Sequence, residues 1–143
     1  MSAHSTPLLS ADEVNAFLAQ VFPQIEIGKA YEVEETAHGF ARVKMRFGDH
    51  LLRPGGTISG PAMFSLADLA MYVAVLASAG PHALAVTTNL TINFLRKPDQ
   101  RDMLGEARLL KLGKRLAVGE VSLFSEGEIE LAAHATATYS LPD

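Results

Sequence analysis

The segment from Ser59 to Gly80 reads SGPAMFSLADLAMYVAVLASAG. Pro61 stands at its start and Gly80-Pro81 at its end, and nearly every position between them is apolar or small on all sides of a helical wheel. A helix with one apolar stripe lies on a surface; a helix that is apolar all round is enclosed on most sides. The pattern predicts a helix over about residues 59–79, stopped by Gly80-Pro81. Ser65, Asp68, Tyr72 and Ser78 interrupt the apolar run, so it reads as a buried core helix and not as a membrane span.

The wrapping material lies on either side. Upstream, Ser10 with Glu13 three residues later is a capping box, which predicts a short helix over about residues 11–21, ended by Pro23. Tyr31 and Val33 then alternate with Glu32 and Glu34. Ala41, Val43, Met45 and Phe47 alternate with Arg42, Lys44 and Arg46. These are two strands with a turn at His38-Gly39. Downstream come four further strand-like runs. Over residues 86–95, Val86, Leu90, Ile92 and Phe94 share one face and Thr87, Asn89, Thr91 and Asn93 the other. Residues 103–109 are apolar or small at odd positions. Residues 116–124 are apolar on both faces, so both should be covered. Over residues 129–139, Ile129, Leu131, Ala133, Ala135, Ala137 and Tyr139 alternate with polar partners. Gly113-Lys114 and Ser125-Glu126-Gly127 are short enough for antiparallel hairpins.

One apolar helix and six antiparallel strands leave a single way to bury the helix: the sheet curls around it. That is an α+β chain of hotdog architecture, expected as one domain over residues 1–143. Composition agrees with a globular chain: 48% of residues are hydrophobic and 20% charged, which excludes disorder. The net charge is −4 with cations scattered, so no basic stripe invites nucleic acid. Absence of cysteine excludes disulfides, thiolate catalysis and Cys-ligated metals. His4, His38, His50, His82 and His134 lack metal-ligand spacing. The first ten residues carry no leader-like pattern, and a cytoplasmic location is the expectation.

One charge is out of place. From Pro54 to Leu95, a stretch of 42 residues, Asp68 is the only Asp, Glu, Lys or Arg. It falls in the middle of the apolar helix. A buried lone carboxylate is costly unless paired, so it marks either a polar network or a reacting group. Ahead of it, Gly55-Gly56 and Ser59-Gly60-Pro61 lead into the helix, where free amides and the helix dipole favour negative charge. An oxyanion hole requires such donors; a Gly-rich loop can equally serve turn geometry alone. Gly60 and Asp68 lie eight residues apart, about 12 Å along one helix axis. A shared carbonyl would be reached more easily by two antiparallel copies of the helix about a two-fold axis.

At these residues the chain resembles the hotdog thioesterases of the phenylacetic-acid-degradation type. The matching segments, in order, are Gly56-Thr57-Ile58-Ser59-Gly60-Pro61, Leu66-Ala67-Asp68, Val86-Thr87-Thr88-Asn89-Leu90 and Asn93-Phe94-Leu95-Arg96-Lys97-Pro98. The resemblance implies hydrolysis of an acyl-CoA thioester. It makes Asp68 the general base or nucleophile, Gly60 the backbone oxyanion donor and Thr87 the hydroxyl that orients water and carboxylate. Gly56, Arg53, Ser59, Asn89, Arg96 and Lys97 become candidate substrate contacts. It further implies a homodimer or dimer of dimers with sites between subunits, and no cofactor beyond the CoA thioester as substrate. Two positions depart from the family pattern: Arg53 stands where an Asn or Gln is common, and Ser59 where a His is common. Two other readings stay open. One is a non-catalytic acyl-CoA-binding module. The other is a hydratase or dehydratase, whose chemistry needs a helix His that residues 59–79 do not supply.

Overall fold

Ser10 and Glu13 cap each other: the Glu13 N–H donates to Ser10 Oγ at 3.2 Å and the Ser10 N–H to Glu13 Oε1 at 2.9 Å. They open helix α1, Ala11–Val21. The structure, a computed structural model, describes residues 6–142. The leader reading and His4 fall wholly or partly on residues 1–5, outside the described residues. After α1 come β1 (Tyr31–Ala37), β2 (Phe40–Met45), α2 (Gly60–Ala79), β3 (Val86–Phe94), β4 (Met103–Leu112), β5 (Leu116–Ser125) and β6 (Ala133–Ser140). The strands form one antiparallel sheet in the order β1-β2-β4-β5-β6-β3. Helix α2 touches all six strands, and 14 of its 20 residues are buried, which is why it could be apolar on every side. It is long and apolar enough to cross a membrane by length and composition, but its apolar surface is covered by the chain's own sheet. This is the hotdog fold.

The helix sits close to the sheet because two strand residues have no side chain. A Cβ on Gly119 would stand 2.7 Å from the Arg108 carbonyl oxygen and 2.8 Å from Met71 Sδ of α2. A Cβ on Gly105 would meet Leu123 at 3.0 Å and Leu66 of α2 at 3.2 Å. Leu66, Ala70, Met71 and Val73 are fully buried in this layer.

Five strand or helix expectations need correction. Ser59 is the N-cap of α2 and not its first residue. β3 ends at Phe94 and contains a bulge between Thr87 and Asn89. The extra residue, Thr88, reverses the alternation, so Thr87 lies opposite Tyr139 while Leu90 and Ile92 lie opposite Ala137 and Ala135. Thr87 therefore shares a face with Leu90 and Ile92, contrary to the simple two-residue period. β4 runs on to Leu112 through a bulge between Leu109 and Lys111, which hid its second half from the same period. β6 begins at Ala133, not at Ile129: Ile129 is 96% exposed, and Glu128 and Glu130 leave the ladder to approach Arg96 at 3.4 Å. Finally, β5, which runs to Ser125, is buried on one face and only half-buried on the other, because within the chain a single helix covers a single side.

The two edges of the sheet differ. β1 is held by α1: the Asn15 amide donates to the Val33 carbonyl at 3.0 Å, and its oxygen accepts the Val33 N–H at 2.9 Å. β3 carries no buried residue, and Val86 and Phe94 on it are more than half exposed.

Candidate active site

Asp68 stands in the middle of α2, beyond the helix's N-terminal turns and facing the gap between β3, β6 and the end of α1. It is half-buried, less enclosed than its neighbours Ala67 and Leu69 and less than the sequence alone suggested. The reason is that β3 is an edge strand, and the sheet stops there. Two hydroxyls converge on one carboxylate oxygen. Thr87 Oγ1 donates to Asp68 Oδ1 at 2.6 Å, and the Tyr139 hydroxyl donates to the same atom at 2.7 Å. The Tyr139 hydroxyl also lies 3.1 Å from the Asp68 carbonyl oxygen. Among the described residues no donor reaches Oδ2.

Tyr139 was not among the site residues expected from sequence. Its phenol is pushed far above its ordinary value by burial, with the Asp68 carboxylate adding to the effect, so it remains a neutral donor. The ring is 3% exposed and stacks on Tyr72 with centroids 6.0 Å apart and planes 17° from parallel. Phe22, the C-cap of α1, meets Tyr72 edge-on at 6.4 Å. The three rings make an aromatic wall beside the carboxylate. A signal for Tyr139 existed in the sequence. The inner face of β6 is otherwise alanine, and a phenol among alanines facing an apolar helix needs a polar partner; Asp68 is the one charge on that helix.

Asp68 and Tyr139 border two clefts. One, of about 390 Å³, includes Tyr31, His50, Ser65 and Leu69. The other, of about 420 Å³, includes Thr87, Ala85 and Phe22. His50, one of the histidines without metal-ligand spacing, thus borders the same cleft as Asp68.

Gly60 lies elsewhere. It is the first residue of α2, and its N–H donates to no group among the described residues. The neighbouring donors are otherwise accounted for: Ser59 Oγ accepts the Ala62 N–H at 3.2 Å, and Pro61 has none. Gly60 borders a cleft of about 360 Å³ with Arg53, Arg96 and Lys97, so three expected substrate contacts gather around it. Ser59 serves as the helix cap. Gly56 borders none of these three clefts; its carbonyl accepts from the Gln100 amide at 2.9 Å. Asn89 is exposed and lies opposite Thr138, away from Asp68. Within one chain, then, six of the nine expected residues fall into two groups, Asp68 with Thr87 and Gly60 with the three cations, and Ser59, Gly56 and Asn89 join neither.

Residues 55–132 match the model of a family described as the thioesterase superfamily. The chain belongs to the thioesterase superfamily. A Saccharolobus solfataricus protein bearing an esterase name is 36% identical over 135 residues, which span 93% of this chain and 86% of that protein. Among solved structures, a Silicibacter sp. TM1040 protein bearing a thioesterase name is 46% identical with a TM-score of 0.88, covering 99% of this chain and 97% of that one. A mutant of the phenylacetic acid degradation protein PaaI from Thermus thermophilus is 26% identical with a TM-score of 0.72, covering 84% of this chain and 99% of that one. This superfamily member is thus a hydrolase of the thioesterase and esterase kind, and its Asp68 and Gly60 both lie within the matched residues.

Proposed function

We propose that the protein hydrolyses an acyl-CoA thioester at a site completed by a second copy of the chain. The observation that carries this reading is the asymmetry of the Asp68 carboxylate: both hydroxyl donors go to Oδ1, and Oδ2 is left without a donor among the described residues, on a residue that borders two clefts. As general base, Oδ2 takes a proton from water while the water oxygen bonds to the carbonyl carbon. The carbonyl electron pair moves to oxygen, where the Gly60 N–H of the other copy receives it. The carbonyl re-forms, the C–S bond breaks with its electron pair going to sulfur, and the CoA thiolate takes the proton held on Oδ2, leaving the carboxylic acid, the CoA thiol and the free Asp68 carboxylate. As nucleophile, Oδ2 would attack the carbon itself, expel the CoA thiolate and form a mixed anhydride, which water hydrolyses to the carboxylic acid and the Asp68 carboxylate. Asp68 and Gly60 have the same parts in either case.

Two features support the second copy. Asp68 and Gly60 border different clefts in one chain and lie about 12 Å apart along α2. β3 offers a free, uncharged outer edge of nine residues, the kind of edge that pairs with another strand unless it is protected. A homodimer joined there brings the two α2 helices side by side. Arg53, Arg96 and Lys97 next to Gly60 suit the phosphates of CoA, and a CoA substrate suits a cytoplasmic enzyme without a cofactor.

The test is a panel of acyl-CoA thioesters, from acetyl to palmitoyl with aryl members, read by the appearance of free thiol. Turnover of one or more members with Michaelis kinetics is expected. Saturable binding of acyl-CoA without thiol release would instead establish a binding module.

A further inference from the structure

We infer that Tyr139 is a positioning residue for the Asp68 carboxylate, holding it so that Oδ2 alone faces the reacting thioester; this rests on the proposed role of Asp68. A free carboxylate turns about its Cβ–Cγ bond and exchanges its two oxygens. Here Oδ1 is held by two short hydroxyl contacts, at 2.6 Å from Thr87 and 2.7 Å from Tyr139, the range of strong charge-assisted bonds. The two donors are not equivalent. Thr87 is exposed on the edge strand, and its hydroxyl can turn to solvent. Tyr139 is locked by burial and by its stack on Tyr72. Its hydroxyl oxygen also lies 3.1 Å from the Asp68 carbonyl oxygen. Tyr139 therefore defines where the carboxylate points, and Thr87 reinforces it.

The phenol is the buried one of the two donors to Oδ1 among the described residues, so its loss leaves only the exposed Thr87 hydroxyl to hold the carboxylate.

Tyr139→Phe keeps the ring and its stack and deletes only the hydroxyl. Its kinetics are measured with the best thioester of the acyl-CoA panel. The expected result is a kcat lower by about tenfold with KM changed less than about twofold. A purely structural tyrosine would lower yield or stability and leave the kcat of the folded enzyme in place. In parallel, the Asp68 carboxyl carbon is observed by ¹³C NMR at one fixed neutral pH in both proteins. This reading needs no turnover, and the signal should shift when the hydroxyl is lost. If no panel thioester is hydrolysed, the proposed function fails, and the NMR comparison alone decides the Tyr139–Asp68 link. If Tyr139→Phe does not fold, 3-fluorotyrosine at position 139 keeps the shape with a stronger donor, and the Asp68 carboxyl signal should again shift. An unmoved Asp68 carboxyl signal in the folded variant, or a change confined to KM, would overturn the inference.

Discussion

In the proposed reaction Asp68 is the residue on which the chemistry turns, and its replacement by Asn is the gentlest way to ask what it does. Asn is isosteric, and its side-chain oxygen can still accept from Thr87 and Tyr139, so the fold should survive. Thioester turnover should fall at least about a hundredfold, the usual contribution of a positioned general base; thiol release by the purified variant measures it. The tyrosines carry a second residue-scale expectation. Tyr31, Tyr72 and Tyr139 all have phenols raised above their ordinary value, chiefly by burial. In the unfolded chain they would ionise near pH 10. A group whose folded value lies above its unfolded value adds stability that is complete below the unfolded value and is lost as pH rises toward the folded one. Lys44, raised by its bonds to Glu126 and Glu34, acts in the same direction. Urea midpoints should therefore hold steady up to about pH 9 and fall steeply above about pH 10. Tyrosinate absorbance should appear together with unfolding and not before it.

At the scale of elements, the close seating of α2 on the sheet depends on strand residues that lack side chains. Gly119→Ala would put a methyl group 2.7 Å from the Arg108 carbonyl oxygen, which is backbone and cannot swing aside, and 2.8 Å from Met71 Sδ. Overpacking of this kind should destabilise by about 1–3 kcal/mol in urea unfolding. The elements themselves were largely legible in the sequence. The capping box at Ser10 and Glu13, the all-round apolar α2 and the alternation in β2 each depend on neighbours a few residues apart. What escaped depends on non-local pairing. The bulge at Thr88 turns Thr87 inward only because of its register with β6. The partnership of Tyr139 and Asp68 joins residues 71 positions apart. Ile129 and Leu131 continued the alternation of β6 on paper, but the turn after β5 is longer than its Gly127 suggested. The site divides in the same way. Asp68 was visible as an isolated charge, and the free Gly60 amide as a consequence of the Ser-Gly-Pro entry. The carboxylate's two donors became visible only once the sheet was assembled.

At the scale of the whole molecule, the central claim is that one thioester is served by Asp68 of one chain and Gly60 of another. Two separately inactive variants should then complement each other. Asp68→Ala removes the carboxylate. Gly60→Pro removes the amide N–H, and the site tolerates proline: Gly60 is the first helical residue, Ser59 before it is extended at φ −75° and ψ 157°, and first helical positions suit proline. A new Cβ at position 60 would meet the tip of the Phe94 ring at 3.2 Å, and Phe94 is half exposed and can move. In a mixed dimer one composite site carries both lesions and the other carries neither. Co-expressed with two different tags and purified through both, the heterodimer should recover about half the wild-type activity, as two independent symmetric sites require. Activity no higher than that of the separate variants, in a heterodimer shown to be folded and intact, would contradict the shared site.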